Sequence, residues 1–340
     1  GMSGGADSRG AAAFSLAHEY DVTGVYMKNW SQDLPGMQCP WAEDLADAKR
    51  VAVQLGIDFK VFDFETQYRQ KVVDYMLDEY RAGRTPNPDI MCNQEVKFKL
   101  FLETSLAAGA DYIATGHYAR VERLADTARL LRARDDNKDQ TYFLYRVTSE
   151  ALAKTVFPLG NLTKPEVRQI AKDRGLWTAR KKESMGVCFV GNVGMREFLS
   201  QYITTRPGDI IDKESGRVLG RHDGAIFYTL GQRHGLDVGG GLPYYVVGKN
   251  MDKNEVYVSR NINDEHMWRT EIKLTDIHWI DQPLTEGVRI QVRLRHRGAL
   301  INAIYSADTL HLESAERAVA PGQSAVIYRG EECIGGGLVI

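Results

Sequence analysis

The chain has 340 residues, 43% apolar and 26% charged, with a net charge of −2. At ~100–200 residues per domain this predicts two or three globular domains, and the near-neutral balance excludes a global basic field, leaving only local patches for a nucleic acid. No apolar run approaches the ~20 residues of a membrane span and the small, polar start does not read as a secretory leader, so a cytoplasmic chain is expected.

The first six informative residues are Ser3-Gly4-Gly5-Ala6-Asp7-Ser8. Paired glycines let successive N–H groups turn into one concavity, and the Ala11-Phe14-Leu16 pattern behind them predicts a helix over 8–20 whose N-terminus favours anions. This is a cradle for pyrophosphate without the Lys of a Walker A loop; a plain glycine turn capping a helix is the alternative. Val22–Met27 then reads as a buried strand, Glu43–Leu55 as a helix, Phe59–Phe64 as a strand, Tyr68–Tyr80 as a helix and Asp111–Gly116 as a further strand. Such alternation predicts a parallel α/β sheet, with ligands beyond the strand C-termini, near Met27 and Gly116-His117. From about residue 200 the runs shorten (Ala225–Thr229, Tyr244–Val247, Glu255–Val258), and beyond about 265 strict alternation predicts a small β-barrel. Within it, Val288–Arg295 alternates so that Arg289, Arg293, Arg295 and Arg297 fall on one face, either solvated or gripping RNA phosphates.

Two segments bear thiols. In Gly83–Asn93 two prolines stiffen a loop that carries Asp89 and Cys92 three residues apart, so one helical turn or a tight loop would place acid/base and nucleophile together. The apolar company of a buried cysteine is missing around Cys92 in the sequence, although a capped loop with a buried thiol is the plainer reading. Cys188 follows Arg180-Lys181-Lys182, cations that favour thiolate. Spacing does not decide whether Cys188 reaches Cys92, since a bridge needs Cα atoms roughly 4.4–6.8 Å apart. Cys39 and Cys333 read as structural.

These motifs occur in order with Ala-Thr-Gly-His-Tyr (114–118), Asn-Lys-Asp-Gln-Thr-Tyr-Phe-Leu (137–144), Gly-Val-Cys-Phe (186–189) and Tyr-Thr-Leu-Gly-Gln-Arg (228–233). Together they resemble the bacterial and organellar tRNA 2-thiouridylases, along the whole chain. The resemblance implies an adenine-nucleotide α-hydrolase-like (Rossmann-like) domain over 1–198, a small central domain over 199–263 and a C-terminal β-barrel over 264–340. It implies ATP-dependent sulfur insertion at carbon 2 of the wobble uridine of tRNAs for Lys, Glu and Gln, with Mg2+, and a partner that delivers sulfur, either a relay protein or a cysteine desulfurase. A monomer is implied.

Carried over by motif, Gly1, Met2, Ser3, Gly4, Gly5, Ala6, Asp7, Ser8, Met27 and Gly116 would hold ATP. Asn87, Pro88 and Asp89 would meet the target base, Cys92 would be the nucleophile, with Asp89 beside it, and Cys188 the persulfide carrier. Attack by Cys92 would free the sulfur and close a disulfide with Cys188 that a reductant opens, or Cys92 would instead activate the base directly; the sequence does not separate these routes. His117, Lys138, Asp139, Gln140, Arg295, His296 and Gln323 would touch tRNA. The chain departs from the family pattern at Ala6, Arg9 and His296, and it opens on the phosphate loop where the family has a hydrophobic strand. A sheet without that strand is expected to leave backbone groups unpaired. A catalytically impaired tRNA-binding relative is the alternative to a working enzyme, and an ATP-pyrophosphatase ligase would have no use for the two cysteines.

Overall fold

Two parallel strand pairs frame the first domain in the computed structural model, which describes residues 1–2, 11–12, 20–33, 39–173, 194–239, 241–261 and 267–340. Ser3–Ser8, most of the helix expected over 8–20, and Cys188 lie outside the described residues. Strand β1 (Thr23–Lys28) is crossed by helix α1 (Trp41–Leu55) into β2 (Asp58–Asp63), parallel to it. The α1 face Ala48-Val51-Ala52 is buried, as the spacing requires, and Gly56 ends the helix in the left-handed region. A continuous helical run of Glu65–Tyr68, Arg69–Val73 and Asp74–Arg81 forms α2, and Pro88–Met91, Cys92–Leu100 and Phe101–Ala107 together form α3. The middle of each run has the wider i→i+5 winding, a feature that apolar periodicity does not reveal.

Strand β3 (Ile113–Ala114) is shorter than expected; after the hairpin β4 (Arg120–Leu124) and β5 (Thr127–Leu131) and helix α4 (Ser149–Ala153), it finds its parallel partner in β6 (Thr155–Val156). Gly1 and Met2 run between the two pairs. Met2 bridges to Tyr26, its N–H donating to Val25 O at 2.7 Å, and the Gly1 amino group donates to Ala114 O at 2.7 Å. Burial pushes that amino group down to about 5. Behind Gly1 a cavity of about 350 Å3 separates Tyr20–Val25 from Ala110–Ala114, in line with the two residues that bridge the sheet. An extension of five or six apolar β-formers ahead of Gly1 is expected to fill it, pairing with both neighbours and replacing the buried amino group by a peptide N–H. The extended protein should melt several degrees higher and bind ATP more tightly; equal melting and equal ATP affinity would show that this gap is not a strand position.

Helices α5 (Lys164–Asp173) and α6 (Met195–Ser200) precede the central sheet of β7 (Gly208–Asp212), β8 (Val218–His222), β9 (Tyr245–Asn250) and β10 (Glu255–Ser259), in the order β8-β7-β10-β9. Two of the three short apolar runs become β9 and β10, whereas Ala225–Phe227 is a 3-10 turn. Its Ala225 N–H is taken by the Asn254 side chain at 3.0 Å, leaving no ladder for a strand to join.

Six strands make the barrel: β11 (Trp268–Trp279), β12 (Val288–Arg293), β13 (Ile301–Ser306), β14 (Thr309–Arg317), β15 (Ser324–Arg329) and β16 (Glu332–Val339). Their order is β11-β14-β13-β12-β15-β16, closed by pairing of β11 with β16. Ile290, Val292, Ala303, Leu310 and Ile327 fill the interior. Strand β16 also pairs with β5, so the β4–β5 hairpin of the first domain extends the barrel's sheet. The main core accordingly mixes Val72, Val96 and Tyr142 with Ile280, Val326 and Tyr328 from the barrel.

The basic strand needs correction. β12 ends at Arg293, which is 5% exposed, while Arg289 and Arg295 are exposed and Arg297 has left the strand with φ +61°. Alternation does turn Arg293 away from the barrel interior, but at that end the outer face is covered by the 137–145 segment instead of water. Arg293 Nη1 meets Asp139 Oδ2 there at 2.7 Å.

Candidate active site

Asn87 starts α3 as its N-cap, its side chain accepting from Asp89 N–H at 3.2 Å, and Pro88 occupies the first turn where its missing donor costs nothing. The carboxyl of Asp89 and the thiol of Cys92 thus sit three apart on one helix face, as the spacing predicts. Cys92, however, is 2% exposed and packs in the main apolar core, so the expectation of a thiol in polar surroundings is overturned. That core draws on residues as distant as Val72, Tyr142 and Tyr328, which is why local composition misleads.

Burial pushes the Asp89 carboxyl above its usual range, with Lys97 pulling the other way. Burial likewise holds His117 well below its ordinary value, helped by Lys97 and the chain's own amino group, so the ring is neutral at pH 7. The His117 ring packs against both Phe98 and Phe157, centroids 5.6 and 6.0 Å away, and its Nδ1 is 2.8 Å from Thr115 Oγ1. A Cβ on Gly1 would come within 3.1 Å of the Met27 methyl, so Met27 covers Gly1 while Gly1 bonds to Ala114. Gly1, Met27 and Ala114–His117 therefore converge at the C-terminal ends of β1 and β3, as open α/β sheets require of a nucleotide site. Among the described residues no group of three His, Cys, Asp or Glu side chains could hold a metal.

The remaining expected tRNA contacts divide. Lys138 is half-buried and Arg295 is exposed, paired with Glu316 at 3.0 Å. Gln140 is occupied internally, its Oε1 accepting from Tyr118 N–H at 2.9 Å. Asp139 is fully buried: besides Arg293 it accepts from Ala133 N–H at 3.1 Å and from the Thr141 hydroxyl. Its carboxylate is a structural anchor and cannot reach RNA in this arrangement. His296 packs at a tilt against Phe143, centroids 4.4 Å apart, and burial lowers it to about 4 with its Nδ1 unpartnered. Gln323 donates from Nε2 to Thr85 O at 2.6 Å, in the loop before Asn87.

Sequence reading passed over Lys97 and Asn93. Both share a face of α3 with Asp89, at spacings of eight and four respectively, a signal available in the sequence. Asn93 is 2% exposed, donates to Phe143 O at 2.9 Å and leaves its Oδ1 without a partner, fixing the helix to the segment that carries Lys138 and Gln140.

Residues 1–192 match the family described as tRNA methyl transferase HUP domain, 196–260 the tRNA methyl transferase PRC-barrel domain, and 269–339 the aminomethyltransferase beta-barrel domain. The expected succession of nucleotide domain, central domain and barrel is the one observed. The chain is 47% identical over 347 residues to the tRNA-specific 2-thiouridylase MnmA of Bacillus velezensis, and 46% identical to that of Bacillus subtilis, with all of this chain and 93% of each relative covered. A third relative, tRNA-specific 2-thiouridylase MnmA 2 of Geobacillus kaustophilus, is 46% identical over 346 residues.

Proposed function

Because this chain belongs to the tRNA 2-thiouridylase family, we propose that it replaces the 2-oxygen of the wobble uridine by sulfur, in tRNAs for Lys, Glu and Gln, at the expense of ATP. The observation that carries the reading is the convergence of Gly1, Met27 and Ala114–His117 at the ends of β1 and β3, with Lys97 of α3 acting electrostatically on both His117 and Asp89. The relatives' shared name favours a working enzyme over a catalytically impaired tRNA-binding relative.

A ureide-like carbonyl is a poor electrophile until its oxygen can leave, and ATP supplies that by adenylating it. The Ser3–Ser8 loop would take the pyrophosphate; Gly1, Met27 and Gly116 would frame the nucleotide, with Mg2+ arriving on the phosphates. Asn87, Pro88 and Asp89 would receive the uridine once it leaves its stack. Asp89, with its raised affinity for a proton, suits proton transfer at the base.

Cys188 would carry sulfane sulfur as a persulfide, loaded by a sulfur relay protein or cysteine desulfurase. Its terminal sulfur attacks carbon 2 and AMP departs, leaving a bond between Cys188 and the sulfur on the base. Cys92 thiolate then attacks the Cys188 sulfur, the S–S electron pair passes to the base as 2-thiouridine, and a Cys92–Cys188 disulfide remains for a reductant to open. Because Cys92 is buried, the cover over it has to part when tRNA docks.

Exposed Arg289, Arg295 and Arg297 and half-buried Lys138 would meet the tRNA backbone. A monomer would be the working unit. The protein would act in the cytoplasm; among the described residues no helix is long and apolar enough to cross a membrane. The test is mass analysis of the wobble nucleoside after incubating tRNA with the protein, ATP, a persulfide donor and a reductant. Gain of one sulfur in place of oxygen, dependent on ATP, is the expected result; unaltered uridine would defeat the proposal.

A further inference from the structure

The turn Tyr228–Arg233 supplies no group to the chemistry, yet it meets the loop that presents Asn87, Pro88 and Asp89. Thr85 stands two residues ahead of Asn87, and all three of its polar groups go to other parts of the molecule. Its N–H donates to Pro321 O at 3.1 Å, its carbonyl accepts from Gln323 Nε2 at 2.6 Å, and its hydroxyl lies 3.1 Å from Thr229 Oγ1. The first two partners belong to the barrel and the third to the central domain.

The turn offering Thr229 is rigid. Thr229 N–H donates to Gln232 Oε1 and Gln232 N–H to Thr229 O, each at 3.0 Å, while Lys249 Nζ donates to Tyr228 O at 2.9 Å. Two glycines let the three parts close up. Gly231, at φ +83°, faces Ala318 so closely that a Cβ would lie 2.6 Å from that methyl; Gly322, at φ +85°, would put a Cβ 2.8 Å from Arg84 Cβ and 3.0 Å from Thr85 N. Pro86 and Pro88 have fixed φ, so once Thr85 is held few soft torsions remain before Asp89.

We infer that Thr229 is a positioning residue for the target-base loop: its hydroxyl, together with Gln323, holds Thr85 and thereby sets where Asn87-Pro88-Asp89 receive the base. The inference rests on the thiolation reading. It also gives Gln323 a role in aiming this loop, apart from any contact with tRNA. A barrel and a central domain that both touch Thr85 can transmit their own placement on tRNA to the site of chemistry.

Thr229→Val keeps the shape and deletes the hydroxyl, whereas Thr229→Ser keeps the hydroxyl. With saturating tRNA and ATP, T229V should lower kcat about ten-fold while KM for tRNA stays within about two-fold, as expected when orientation and not binding is lost. T229S should recover most of the rate. Thr85→Val should match T229V, and the double variant should be no slower than either, since both remove one contact. In the tRNA-free protein, amide exchange of the 85–90 segment should rise in T229V, a readout independent of thiolation. An unchanged kcat in T229V, a T229S as slow as T229V, additive losses in the double variant, or unchanged exchange would each overturn the inference. A wild-type protein that makes no 2-thiouridine would overturn the reaction instead, and the exchange comparison would still decide whether Thr229 holds the loop.

Discussion

Serine in place of Cys92 or Cys188 should lower 2-thiouridine formation by about 10³-fold or more, because a hydroxyl neither carries sulfane sulfur nor closes a disulfide. Affinity for tRNA should change by less than about three-fold, since neither thiol neutralises a phosphate. The two variants should differ in what accumulates. After treatment with a persulfide donor, C92S should retain one extra sulfur on Cys188, and C188S should retain none at that position. Cys92 is buried in the main core, so Cys92→Ala serves as a companion that leaves no new hydroxyl among apolar neighbours. Thiolation by either single variant at a rate near wild type would sink the two-cysteine mechanism. Loss of tRNA binding in both C92S and C92A would assign Cys92 to the fold.

Arg293→Ala should lower stability by about 3–5 kcal/mol, the cost of leaving a buried carboxylate without its partner. Asp139 has no exposed side-chain surface and Arg293 7%, and the guanidinium also lies over the Tyr328 ring at 5.3 Å. The pair belongs to a seam in which Tyr142 donates to Ser324 O at 2.9 Å and Thr141 Oγ1 lies 3.2 Å from the Tyr328 hydroxyl. Replacing both members, Asp139→Asn with Arg293→Met, should recover much of the loss, since no buried charge is then stranded. Arg295→Ala, at an exposed site, should stay within about 0.5 kcal/mol of wild type while flattening the salt dependence of tRNA binding. Urea unfolding and binding titrations over a salt series measure both. An R293A protein as stable as wild type would show that the pair contributes nothing net to the seam.

Local pattern was sufficient for much of this molecule. The i, i+3, i+4 spacing of Ala48, Val51 and Ala52 determined α1, the apolar runs determined β1 and β2, and alternation through Val288–Val292 determined a barrel strand. The order of Asn87-Pro88-Asp89 and Cys92 determined a capped helix start with acid and thiol on one face, because capping and i, i+3 geometry are properties of adjacent residues. What no local pattern contains is which surface another part of the chain will cover. Arg293 continues the same alternation as Arg289, yet one is buried on Asp139 and the other is exposed, because the 137–145 segment lies over only one end of β12. Cys92 reads as a thiol in a polar loop and is buried because it joins a core that includes residues as distant as Val72, Tyr142 and Tyr328. The β4–β5 hairpin joins the barrel's sheet and Thr85 is divided between two other domains for the same reason: these contacts join residues up to 238 positions apart, and only the tertiary packing brings them within hydrogen-bonding reach.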